Sequence, residues 1–174
     1  MELNRNKPVV LIVMGSDSDL PVVSETAALL KELSIPFKIT VASAHRTPQM
    51  VREISERAKE DGFEVIIAAA GAAAHLSGVI ASYTLLPVIG IPLSSSPLSG
   101  IDALLSTVQM PAGTPVGTMA IGKSGAKNAA LFAARILGIK YSDVEEALNN
   151  YYEEMRKSVT EKAEKISNLY TENT

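Results

Sequence analysis

Residues 8–19 read PVVLIVMGSDSD. Pro8 to Met14 is a continuous apolar run, the pattern of a short strand covered on both faces at the centre of a parallel sheet. Gly15-Ser16-Asp17-Ser18-Asp19 breaks it with small and polar residues. A helical pattern follows, with Leu20, Val23, Ala27, Leu30 and Leu33 near a 3.6 period and Pro21 in the first turn, where it is tolerated. Ser34-Ile35-Pro36 ends it. Strand, small loop, helix is one half of a parallel α/β unit. Its loop opens on the edge where such sheets bind ligands.

The same rhythm continues. Phe37 to Ala42 reads as a second buried strand. Ser43-Ala44-His45-Arg46 follows as a loop, and Thr47-Pro48 is a helix start: Thr caps, and Pro at the first position gives up an N–H that would have no partner anyway. That helix runs from Pro48 to about Glu60, and Asp61-Gly62 stops it. Val65 to Ala70 is strand three, Gly71 to His75 its loop, and about Leu76 to Thr84 a short helix. Strand four lies within Pro87 to Pro92, and Leu93 to Gly100 (LSSSPLSG) is a long loop of the kind often functional. Ile101 to Met110 is a helix and Val116 to Ala120 strand five. Ser124 to Leu137 is an Ala-rich helix apolar nearly all round, with Gly138 as its C-cap. Five strands alternating with helices predict an α/β fold with one parallel sheet and right-handed crossovers. A single domain is expected over 1–174, with a core of about 8–139 and a C-terminal helical extension of about 142–170. In that extension Ser142 and Glu145 have the spacing of a capping box. Val144, Leu148, Tyr151, Met155 and Val159 form a narrow apolar stripe that suits either a partner or the helix's own domain.

Composition narrows the function classes. The net charge of -3 argues against a nucleic-acid or anionic-membrane partner, which would want a basic face. The absence of cysteine removes disulfides, thiol catalysis and thiolate metal sites, and fits a cytoplasmic setting. Met1 to Lys7 is polar and reads as no signal peptide. No apolar run reaches the roughly 20 residues of a membrane helix.

Three loops end strands one, two and three, so all three are expected at one edge of the sheet. The first offers Ser16 and Ser18 hydroxyls, backbone N–H groups and a helix N-terminus, together suited to a phosphate. Asp17 and Asp19 would repel that phosphate, so at least one should face away, with a ribose diol as its natural partner. The same residues also serve as ordinary helix caps. His45 has a hydroxyl and a guanidinium, Ser43 and Arg46, beside it. Imidazole titrates near neutral pH, and an arginine beside a helix N-terminus can clamp phosphate, so this loop suits binding plus proton transfer. A histidine satisfied on a surface loop is the plainer alternative. The third loop, Gly71-Ala72-Ala73-Ala74-His75, lets a ligand approach backbone N–H groups closely. His75 fits either substrate contact or a hydrogen-bonded, semi-buried place. The spacing of the two histidines makes no metal site.

Gly117 to Ser124 (GTMAIGKS) matches the phosphate-loop pattern GxxxxGK[ST] letter for letter. That pattern needs its first Gly after a strand and a polar loop over phosphate. Here Gly117 lies inside strand five and the intervening residues are apolar, so nucleoside triphosphate binding is not expected. A receiver domain would need an Asp where Ala70 ends strand three, and a flavin site would want aromatics the loops lack.

VMGSDSD at 13–19, SAHRTP at 43–48, GAAAHLSG at 71–78, SGIDALLSTVQMP at 99–111 and AIGKSGAKNAA at 120–130 together resemble the PurE family of purine biosynthesis. The Ala-His-Leu of the third loop and the Arg-Thr after His45 resemble its class I branch. The resemblance implies a flavodoxin-like three-layer α/β/α sandwich and a homo-octamer with sites at subunit junctions. It implies N5-carboxyaminoimidazole ribonucleotide mutase activity, a carboxylate transfer from exocyclic nitrogen to ring carbon four, with no metal, cofactor or ATP. Ser16, Ser18, Ser43 and Arg46 would hold the 5′-phosphate, Asp19 the ribose hydroxyls, and His45 would be the acid and base. The Gly71 to Leu76 backbone, with His75, would hold the migrating carboxylate. The chain departs from the family at Ala69 and Ala72, where Gly is usual, and at Ser77, where Pro is usual. An alanine at positive φ would be strained.

Overall fold

In the computed structural model, which describes residues 1–171, the run after Pro8 becomes β1 (Val10–Met14). Residues 172–174 of the expected domain lie outside the described residues. A 3-10 turn (Asp17–Asp19) leads into α1 (Leu20–Glu32). Then come β2 (Phe37–Val41), α2 (Pro48–Arg57), β3 (Val65–Gly71), α3 (Leu76–Tyr83) and β4 (Val88–Leu93). α4 (Ile101–Val108), β5 (Gly117–Thr118), α5 (Lys123–Gly138) and α6 (Ser142–Thr171) complete the chain.

All strand pairs are parallel, in the order β2-β1-β3-β4-β5. That is the flavodoxin-like order, whose reversal point lies between β1 and β3. Period-two alternation sorts each central strand between two cores. Val10, Ile12 and Met14 of β1 join Val65, Ile67 and Ala69 of β3 against α1, α5 and the start of α6. Leu11 and Val13 join Ile66 and Ala68 on the other face, against α2 and α3. Each large aliphatic side chain so buried contributes about 1.5–3 kcal/mol, and this two-sided burial is why the run after Pro8 could be read as a central strand.

Several local expectations are corrected. β2 is only half-buried, because it is the edge strand: Phe37 and Ile39 pack against the core, while Lys38 and Val41 are exposed. α2 ends three residues early, at Arg57. β5 pairs over only two residues, although Met119 N–H still reaches the Gly90 carbonyl at 2.9 Å. α5 is amphipathic rather than apolar all round. Pairs of alanines (Ala129 and Ala130, Ala133 and Ala134) are buried, while Asn128, Phe132 and Arg135 face out. Gly138 is the last helical residue, not a left-handed cap, and a Cβ there would make only ordinary contact, 3.6 Å from the α6 backbone. Ser142 is the first residue of α6 and gives its N–H, at 3.0 Å, to the Met1 carbonyl instead of forming a box with Glu145.

The apolar stripe of α6 divides. Val144 and Leu148 belong to the core, and Tyr151 and Tyr152 pack against it. Met155, Val159, Ile166 and Leu169 continue the stripe into solvent. The phosphate-loop lookalike has a packing explanation. Gly117 lies in β5, where a Cβ would sit 3.1 Å from the Phe132 ring, and Gly122, just ahead of α5, takes a positive φ of 73°. Lys123 pairs with Glu25 of α1 at 3.3 Å.

Candidate active site

The loops after β1, β2 and β3 meet at one edge of the sheet, around a cavity of about 520 Å3. That size suits a nucleotide-sized ligand.

The first loop is organised by its own caps. Ser16 is the N-cap of the 3-10 turn, and the Asp19 carboxylate accepts the Ser16 N–H at 3.0 Å. The Ser18 hydroxyl donates to Ser16 Oγ at 2.9 Å. Capping does not draw these groups away from the cavity, which Ser16, Ser18 and Asp19 all line. Asp17 is exposed and off the cavity wall, so of the two carboxylates only Asp19 faces in. Asp19 is 7% exposed. Burial pushes its carboxyl upward from the ordinary value, the N–H groups of Ser16 and Gly15 oppose the rise, Asp17 adds to it, and Arg46 opposes it.

The second loop is stitched by Thr47. Its hydroxyl accepts the Ser43 N–H at 2.9 Å and donates to the Ser43 carbonyl at 3.2 Å. Thr47 thus closes the loop and makes no side-chain cap on α2, contrary to the sequence reading. Arg46 crosses to the first loop, where Nη2 donates to the Gly15 carbonyl at 3.2 Å, while Nε lies 3.4 Å from Ser43 Oγ. A guanidinium carries five N–H donors, and others remain for an anion. Ser43, His45 and Arg46 all line the cavity, as do Gly71 and Leu76 of the third loop.

His75 is not on the cavity wall. It lies beside His45, with Nδ1 2.9 Å from His45 Nε2 and the rings edge to face. Residue spacing could not have given this pair, because the two histidines stand 30 positions apart. Ser95, after β4, also lines the cavity and was not picked out from the sequence beyond its loop. Its trace was Gly71: a Cβ there would overlap Ser95 Oγ at 1.7 Å. The three departures behave differently. Ala72 does take a positive φ of 51°, a conformation that costs an L-residue roughly 1–2 kcal/mol. Ala69 lies in β3 and packs in the core. The buried Ser77 hydroxyl has no hydrogen-bond partner among the described residues.

Among the described residues no helix is long and apolar enough to cross a membrane, and no three His, Asp or Glu side chains gather as a metal site would need.

A doubly wound parallel sheet with polar loops and an imidazole around a cavity at its strand-order reversal defines a small-ligand α/β protein of the flavodoxin-like class. Within that class the chain belongs to the AIR carboxylase family, whose sequence model matches residues 9–158. A Pyrococcus horikoshii protein named N5-carboxyaminoimidazole ribonucleotide mutase is 54% identical over 169 residues, 97% of this chain and 94% of that protein. The Escherichia coli K12 protein of the same name is 51% identical over 149 residues, 85% of this chain and 88% of that one. The crystal structure of Treponema denticola PurE superposes with a TM-score of 0.83 at 29% identity, covering 91% of this chain and 98% of that one.

Asp19 gives a pH test. Its raised value means the native state favours the protonated carboxyl, so ionised Asp19 costs stability at neutral pH. The cost disappears below the ordinary value of 3.8, where the group is protonated folded and unfolded alike. Asp19→Asn, which keeps an acceptor for the Ser16 N–H, is expected to melt at or above the wild type at pH 7. The two should converge below about pH 4. A clear drop in melting temperature at pH 7 would contradict the assignment.

Proposed function

We propose that this protein is an N5-carboxyaminoimidazole ribonucleotide mutase of purine biosynthesis, with His45 as its acid and base. The observation that carries the residue assignment is that His45 shares one cavity with Ser16, Ser18, Ser43 and Arg46. An anion in that cavity meets hydroxyls, backbone N–H groups and a guanidinium, which suits the 5′-phosphate. Asp19 faces in beside it and suits the ribose hydroxyls.

The chemistry needs one proton moved twice. Cationic His45 protonates the carbamate nitrogen of the substrate. The N–C bond breaks, its electrons stay on nitrogen, and carbon dioxide is released into the cavity. Ring carbon four attacks that carbon dioxide and forms the new C–C bond. The ring proton then returns to His45, which regains the form it began with. Proton transfer and positioning suffice, so the reaction calls on no metal, cofactor or ATP. The third loop, with Gly71 and Leu76 on the wall, offers small apolar surface to carbon dioxide.

Carbon dioxide must be kept from bulk water, yet His45 is exposed in the single chain. We propose that further copies close the site, in a cytoplasmic homo-octamer of chains that each act as one domain. What supports closure is apolar surface beside the fourth loop: Leu98 is 64% and Ile101 53% exposed, and Leu105 and Val108 of α4 continue that surface. The outer stripe of α6 is a second such surface.

His45→Asn is expected to fold and bind ribonucleotide but lose at least about 10³-fold in turnover; near-normal turnover would refute the role. Wild-type protein should convert N5-carboxyaminoimidazole ribonucleotide directly. Preference for aminoimidazole ribonucleotide plus bicarbonate would instead mark a direct carboxylase, and binding without turnover of either would mark a ribonucleotide-binding module. Truncation after Glu153 removes only the outer part of α6, so it should keep the folded circular-dichroism spectrum and reduce the assembly mass in light scattering. An unchanged mass would exclude the stripe from assembly.

A further inference from the structure

The His45–His75 contact has a directional consequence. A hydrogen bond between two imidazole nitrogens needs one N–H and one lone pair, so the tautomers of the two rings are set jointly. The contact joins His45 Nε2 to His75 Nδ1 at 2.9 Å. Only one arrangement survives protonation of His45. If His75 donated, a proton added to Nε2 of His45 would face another N–H. If His45 donates, it can carry a second proton on Nδ1 with the bond intact.

We propose that His75 is a positioning residue whose bare Nδ1 accepts the Nε2–H of His45 throughout the reaction. This rests on the reading of His45 as acid and base. It makes Nδ1 of His45 the nitrogen that gives its proton to the carbamate nitrogen and later takes the proton from ring carbon four. Nε2–H never leaves His45, and His75 stays neutral. The bond is stronger when its donor is an imidazolium, so losing it weighs on the step in which His45 gives up its proton. The other charged groups on the cavity wall are Arg46, on the loop of His45 itself, and Asp19, on the first loop. Asp17 lies off the wall, and the fourth loop contributes the uncharged Ser95. A substitution at position 75 leaves all of these in place.

His75→Leu removes the acceptor. His75→Asn keeps one, because its amide oxygen can stand close to where Nδ1 stood. The Leu variant is expected to lose about tenfold or more in kcat with KM within about threefold, and the alkaline limb of its kcat profile should move to lower pH. The Asn variant should recover most of both. An unmoved limb, a limb moved upward, or equal losses in the two variants would overturn the proposal. Nitrogen-15 NMR of the ligand-free protein provides a readout independent of turnover. With only two histidines in the chain, one variant assigns both rings. Expected are Nε2–H on His45 and an unprotonated Nδ1 on His75. The reverse tautomers in an active wild type would defeat this proposal alone. The expected tautomers in an inactive wild type would defeat the functional reading alone.

Discussion

A parallel strand ends on the same edge of the sheet as its neighbours, and the chain must then cross back over a face before the next strand begins. That constraint brings the loops after β1, β2 and β3 together without any contact designed for the purpose. It holds only while both faces stay covered. The burial of Ile12 and Ile67 on one side, and of Val13 and Ile66 on the other, therefore positions the cavity as directly as any residue in it. Strand order supplies the rest: β1 lies between β2 and β3, so the first loop sits between the other two.

What the loops add is fixity. Ser16 and Asp19 cap each other, Thr47 closes the second loop on Ser43, and Arg46 bridges to the Gly15 carbonyl. The Gly15 N–H in turn takes the Ala69 carbonyl of β3 at 3.0 Å. A ligand that meets groups already held loses less entropy in binding them. The third loop contributes smallness, and it carries strain at Ala72. The His45–His75 contact belongs to the same scheme, a cavity-wall side chain held by a neighbour that lies off the wall.

Much of this was legible in the residues. The apolar runs identified β1, β3 and β4 because central parallel strands need no alternation. In β2 the residues carry half the answer: Phe37 and Ile39 do pack against the core, but Val41 looks the same and is exposed, and only the strand order reveals an edge. The place of the first-loop residues at the cavity was legible because Ser and Asp after a strand end cap the turn there. Thr47 shows the limit: a hydroxyl before Pro48 reads as a cap, and the choice of Ser43 as its partner is a tertiary outcome. His75 and Ser95 were the hardest, since the first is defined by a pairing across two loops and the second by contact with a glycine. Spacing along the chain carries neither.

The central claim is that one cavity, built by three strand ends, holds the phosphate tail of a ribonucleotide with its imidazole ring toward His45. A crystal structure of the protein with 4-carboxy-5-aminoimidazole ribonucleotide bound tests this most directly. The account predicts phosphate oxygens within hydrogen-bond distance of Ser16, Ser18 and Arg46, and ring carbon four within reach of His45 Nδ1. A nucleotide bound elsewhere, or bound with its phosphate at His45 and its base at Ser16, would contradict it.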